Sequence, residues 1–385
     1  MTRVASRFCV TALAALALAV PASGGGEARY GVSGSQADAT LSQVDPATLR
    51  PVGRSLRVGV FNADRAFSPD GSTLALVSQK RAVLRFVDLG RMRATGQATL
   101  AMEGDVQWLR WTSRGLVALV DLARGSKLVW LDPSTRKITR TLRYRGELVD
   151  PRLANGRIVA VEWPSGRVDP IRLNVIDADG RARSTRVERI QGGWERRGGQ
   201  VVRMAEPGLA VDPAGERAWV ADGDGEICEV TLASLSVRCA AVRTLAKNGS
   251  PWSRRQLKLF APGTLALSGW EKPTAGPRAA RAIGLWLVDT TRWERRLLDR
   301  EIDSFRAAAG VVVGVRRNGV TAYGSDGARR YGIEEPRQLG VIATTGPYLY
   351  VPRSDGRTVV ADLASGRVLR RVAARVQPFQ DVDTW

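Results

Sequence analysis

The feature that most constrains this chain is a short pattern that it reuses. In AFSPDGSTLALVS (residues 66–78) a polar turn ending in glycine separates two apolar strips. The same shape returns in LRWTSRGLVALVD (109–121), DPRLANGRIVAVEW (150–163) and LAVDPAGERAWVAD (209–222). Weaker copies are LKLFAPGTLALSGW (257–270), FRAAAGVVVGV (305–315) and VIATTGPYLYV (341–351). The turn glycines are Gly71, Gly115, Gly156, Gly215, Gly263, Gly310 and Gly346, at intervals of 36 to 59 residues. A third run follows most copies and ends at Asp88, Asp132, Asp177, Thr231, Asp289 or Asp362, before a short turn and a fourth run. The sixth copy is shorter. Aspartate and serine at such turns bond nearby amides, and glycine supplies positive φ.

Period-two or continuously apolar windows, β-branched residues and frequent turn signals exclude a helical reading. Units of roughly 40–45 residues with four strands mark a β-propeller. The expected fold is all-β, a propeller of about seven four-stranded blades, with six or eight left open. The segment QVDPATLRPVGRSL (43–56) has the form of the last half of a unit. It is expected to pair with the C-terminal unit and close the ring. That unit carries its own fourth strand, so an eighth, partial blade stays open. FSPDG followed by LAL, with VDL further on, resembles the WD40-like, YVTN and TolB-type bacterial propellers, including exported actinobacterial propellers of unassigned activity. The resemblance spans residues 57–372, lacks the G-H and W-D signatures of eukaryotic WD40 repeats, and implies no catalytic residues.

The N-terminus has the form of an export signal. Arg3 and Arg7 precede the apolar run FCVTALAALALAV (8–20), and small residues suited to cleavage follow near Ala22. The run is short for a membrane span. The expected organisation is a signal peptide over 1–22, a flexible Gly/Ser/Ala-rich tether over 23–43, one propeller over 44–375 and a tail over 376–385. Localisation is then secreted, or at the cell surface, with no transmembrane span after cleavage and a monomeric chain.

Charge and missing residue types narrow the chemistry. The net charge is +20 over 385 residues, and the basic residues are almost all arginine. That bias fits GC-rich coding as well as a surface attracted to anions. There is no histidine. Ser-His-Asp and Cys-His catalysis, H-E-x-x-H zinc sites and histidine-ligated haem are thereby excluded. No metal or cofactor is expected. The acidic stretches DGDGE (222–226) and DADG (177–180) read as hairpin turns.

Cys228 and Cys239 lie at equal distances from the turn around Ala233 and Ser234. In an antiparallel hairpin they therefore face one another, within bridging range. An oxidising compartment permits the bond, and a disulfide is expected.

Four long connections fall on one face of the expected ring: 164–169, 191–206, 247–256 and 271–282. They carry Trp194, Arg196, Arg197, Trp252, Arg254, Arg255, Lys272 and Arg281, with Trp163 and Trp270 at their edges. Long loops on a rigid scaffold concentrate binding, and tryptophan and arginine dominate binding hot spots. The reading is a non-catalytic binding scaffold. Its partner is an anionic cell-envelope polymer or a protein, rather than nucleic acid. The second reading is a glycan-active hydrolase using two carboxylates in the central channel.

Overall fold

The computed structural model describes residues 30–35, 38–59, 65–78, 82–223, 225–241, 251–272, 280–335, 342–373 and 376–378. The expected signal peptide, residues 247–250 and 273–279 of two long connections, and most of the C-terminal tail lie outside them. Among the described residues every regular element is a strand.

The chain opens with β1 (Tyr30–Ser35), β2 (Asp38–Val44) and β3 (Pro51–Gly59). Two four-stranded meanders follow: β4 (Arg65–Phe67), β5 (Thr73–Ser78), β6 (Val83–Asp88) and β7 (Arg93–Thr99), then β8 (Asp105–Thr112), β9 (Gly115–Asp121), β10 (Ser126–Asp132) and β11 (Lys137–Tyr144). The third is β12 (Glu147–Ala154), β13 (Arg157–Trp163), β14 (Val168–Ile176) and the long β15 (Ala182–Arg197), which turns back as β16 (Gln200–Glu206). The fourth is β17 (Gly208–Val211), β18 (Arg217–Ala221), β19 (Glu226–Thr231) and β20 (Ser236–Ala241). The fifth comprises β21 (Trp252–Ala261), β22 (Thr264–Lys272), the short β23 (Arg281–Ala282), β24 (Leu285–Asp289) and β25 (Arg295–Asp299). The last two are β26 (Ser304–Ala308), β27 (Val311–Arg316), β28 (Gly319–Gly324) and β29 (Arg329–Glu334), then β30 (Ala343–Thr345), β31 (Tyr348–Pro352), β32 (Thr358–Asp362) and β33 (Val368–Val372). Finally β34 (Val376–Pro378) pairs with β1.

About seven four-stranded blades were expected, with six or eight left open. Among the described residues six sheets are separate and four-stranded. The third and fifth meanders merge through β16 into one ten-stranded sheet. One of the six joins the chain ends, in the order β3-β2-β1-β34. Residues 30–35 and 38–43, within the segment expected as tether, belong to it. Leu41 and Val44 are buried there, which gives an apparently aperiodic segment a reason to fold. The 43–56 segment does form the outer half of a unit, but the inner half is β1 and β34, and the C-terminal β34 pairs with β1 rather than with this segment.

The core lies between the sheets. One apolar cluster fills each gap, as where Phe86 and Leu84 meet Leu109 and Leu116, and where Leu41 meets Leu74. Tyr350 and Leu49 close the last gap. A second strand is covered on both faces and so reads as an unbroken apolar run: all of β9 between its end residues is buried. A fourth strand such as β11 lies outermost and is mostly exposed. All seven turn glycines have positive φ, from 53° at Gly346 to 116° at Gly115. The aspartate turns are equally local. Asp132 Oδ1 accepts the Ser134 amide at 2.8 Å, and Asp289 Oδ1 accepts that of Thr291 at 2.7 Å.

Candidate functional site

Where they are described, the four long connections are largely strand, with turns at 164–167 and 198–199. They extend strands of the third and fifth meanders into one added sheet. β14 and β15 run past their blade, so that Val168 pairs with Gly193. Gly198 and Gly199, with φ of 56° and 80°, make the two-residue turn into β16. β16 then lies parallel to the start of β21, pairing Met204 with Trp252 and Glu206 with Arg254. β21 pairs Trp252 with Lys272 and Arg254 with Trp270, and β23 completes the edge.

Alternation along these strands sorts the side chains onto two faces. One face holds Ala205, Ser253, Arg255 and Glu271, with the first three buried. It sits against the fourth meander: Arg255 donates to the Gly223 carbonyl at 2.8 Å, and Gly223 leaves no room for a Cβ beside Ser253. The other face carries Trp194, Met204, Glu206, Trp252, Arg254, Trp270 and Lys272, all partly or fully exposed.

Two expected rim residues are not on the rim. The Arg255 side chain is fully buried in an ion pair with Glu271 and also donates to the Trp270 carbonyl. Trp163 is buried, and its indole N–H donates to Glu147 at 3.1 Å. Trp194 donates to the same carboxylate at 3.0 Å, so Glu147 pins the added sheet to the third meander. The remaining cations are largely matched in place. Arg197 pairs with Glu195 at 3.0 Å and Arg254 with Glu206 at 3.1 Å. Burial pushes the Glu206 carboxyl above its usual range, with Arg254 opposing and Asp150 adding to the shift. Arg196 lies 4.7 Å from the Trp194 ring centre, and Lys272 5.6 Å from that of Trp252. Arg281 is exposed opposite Glu271. The rim is therefore aromatic with paired charges, rather than broadly basic. Sequence reasoning missed Glu147, Met204, Glu206 and Glu271, although Glu195, Glu206 and Glu271 stand in the same long connections as the arginines.

At the opposite end of the ring a cavity of about 490 Å³ opens among the first strands β8, β12, β17 and β21. Its lining includes Trp108, Arg110, Arg152, Leu153, Lys258 and Leu259. Asp212 is the one carboxylate among the lining residues, and its Oδ1 accepts the Glu216 amide at 2.7 Å within its own turn. The paired carboxylates that a hydrolase needs are not among the lining residues.

Dihydro-heme d1 dehydrogenase NirN, in complex with DHE, aligns over 90% of this chain and 73% of its own, with 12% identity and a TM-score of 0.63. BamB from Moraxella catarrhalis aligns over 79% of this chain and 83% of its own, with 14% identity and a TM-score of 0.51. Sqt1 from Saccharomyces cerevisiae aligns over 81% and 84%, with 12% identity and a TM-score of 0.54. At such identities the likeness shows the β-propeller fold alone. No protein family matches the chain, and no curated protein does.

Proposed function

We propose that this chain is an extracytoplasmic, non-catalytic propeller scaffold of the WD40-like, YVTN or TolB type that holds a protein partner on its added sheet. The observation that carries the reading is the composition of one sheet face. Three tryptophans, a methionine, an arginine and a lysine lie in register on strands fixed to two meanders. Aromatic residues, methionine and arginine are the side chains enriched in protein interfaces. A regular sheet also presents them with little ordering cost on binding. The pairing of Arg254 with Glu206 leaves this face less suited to a polyanion than the net charge suggests.

An extracytoplasmic setting agrees with the Cys228–Cys239 disulfide. Among the described residues no helix is long and apolar enough to cross a membrane.

The test is affinity capture from cell envelopes with the full chain as bait. Trp252→Ala with Trp270→Ala should lose the captured partner, whereas Arg217→Glu with Arg357→Glu, away from this face, should keep it. Capture that survives high salt supports a protein partner, because exposed charges are screened beyond about 3 Å at 1 M. Capture abolished by salt and unaffected by the tryptophan changes would favour an anionic polymer. Equal loss in both variants would refute a site on this face.

A further inference from the structure

We propose that Asp121 is a proton-operated latch on the added sheet: protonated, it lets Glu147 hold the tryptophan that seats the sheet, and ionised, it loosens that hold. That the latch regulates partner capture rests on the scaffold reading above; the latch itself does not.

The hold is a shared acceptor. Glu147 opens β12, and its carboxylate accepts the indole N–H of Trp163 at 3.1 Å and that of Trp194 at 3.0 Å. Trp163 ends β13 within the third meander, whereas Trp194 lies where β15 runs out to pair with β16. An ionised carboxylate accepts such bonds more strongly than a neutral one. Asp121 ends β9 in the second meander, and a short hydrogen-bonded path joins it to this acceptor. Ser126 Oγ donates to Asp121 at 3.1 Å and accepts the amide of Leu148, the residue after Glu147, at 3.0 Å. Ser126 and Leu148 are both buried, so the path is shielded from water.

Asp121 is set among like charges. Asp105 lies directly opposite it on β8, a placement in which equal charges repel. Burial above all, with Glu147 and Asp105 adding repulsion, pushes its carboxyl up to about 6 against the Ser126 hydroxyl. The other titratable groups at the seam leave this balance in place. Lys127 alternates to the opposite face of β10 and donates to the Leu100 carbonyl. Tyr144 stands opposite Ser126, and burial and Glu162 push its phenol up to about 12. Glu162 accepts the Gly146 amide and the Asn174 side-chain amide. Glu103, Arg124, Arg143 and Arg145 are exposed, as is Arg196, which covers the Trp194 ring on the added sheet. Coupling is reciprocal: Glu147 in place disfavours charge on Asp121, so charge on Asp121 disfavours Glu147 in place. The folded value lies above the ordinary 3.8, so the hold is complete below about pH 4 and weakens as pH rises through about 6.

The test is hydrogen–deuterium exchange of the full chain from about pH 5 to 8, corrected for the intrinsic rate and read on residues 191–206. Their protection should fall by about fivefold or more, the lower end of ordinary coupling, with a midpoint near pH 6. Residues 319–334, in the sixth meander, should keep theirs. Asp121→Asn carries no charge at any pH and should hold 191–206 protected throughout. Asp105→Asn removes one repulsion and should move the midpoint to lower pH, so it decides the matter if Asp121→Asn fails to fold. The latch is overturned if protection of 191–206 does not change with pH, if 319–334 change equally, or if folded variants follow the wild-type profile. Exchange needs no partner. A failed latch therefore leaves the scaffold reading standing, and failed capture from envelopes leaves the latch standing.

Discussion

Asp70 and Asp121 are driven in opposite directions by their surroundings. Asp70 is exposed in the SPDG turn, and the Ser68 hydroxyl, the Ser72 amide and the Ser72 hydroxyl hold its carboxyl down to about 2. It serves as a turn anchor, as do Asp132, held to about 2, and Asp289, held low by the Thr291 and Arg292 amides. Asp121 is pushed up to about 6, by burial above all, with Glu147 and Asp105 adding repulsion and the Ser126 hydroxyl opposing. Its folded value exceeds the ordinary aspartate value, so the sign is set. Asp121 carries no penalty below about pH 4, and stability falls as pH rises through about 6. Asp121→Asn should flatten the change in melting temperature across that window; an unchanged slope would show that another group controls it. The turn residues were legible in sequence because their bonds reach only two to four positions along the chain. Asp121 was not, because its shift comes first from burial and then from Glu147 on the next sheet, which no local pattern shows.

At the scale of strands, β19 and β20 place Cys228 opposite Cys239, and the two are bonded. The equal spacing about the hairpin turn was enough to expect this. Cys228→Ser with Cys239→Ser should cost about 2–3 kcal/mol, the loop-closure value for so short a loop, seen as a lower melting temperature that reductant no longer changes. The added sheet depends on a different kind of bond. Arg255→Met leaves Glu271 without its buried partner and should destabilise by about 3–5 kcal/mol, measured by denaturant unfolding. A cost near zero would mean that Arg255 does not hold the added sheet to the fourth meander. Arginines elsewhere also act as clasps between sheets. Arg183 donates to the Leu232 and Ala233 carbonyls, Arg140 to those of Asp179 and Gly180, and Arg296 to that of Asp326. Part of the arginine excess is thus structural, and net charge alone did not distinguish clasp from binding surface.

Across the whole molecule the ring closes through three residues of the C-terminal strand. β34 pairs only with β1, at Gly31, Val32 and Ser33 among the described residues. Deleting residues 374–385 exposes the β1 edge and should lower the melting temperature and promote edge-to-edge association, read by light scattering. A truncated chain that stays monomeric and equally stable would show that closure rests on side-chain packing alone. The sequence showed the outer half of this sheet, in residues 43–56, but not its inner half, for a plain reason. Its first and second strands lie at opposite ends of the chain, so no glycine turn joins them. The sequence by itself determined the strand meanders, their turn glycines, their aspartate turns and the cysteine pair, because each arises within about a dozen residues. Only the tertiary structure decided the sheet joined from both ends, the fusion through β16, the burial of Arg255 and Trp163, and the cations gathered around the cavity. Those features depend on strands far apart in sequence meeting across a closed ring, where burial and neighbouring charge are set by packing rather than by local pattern.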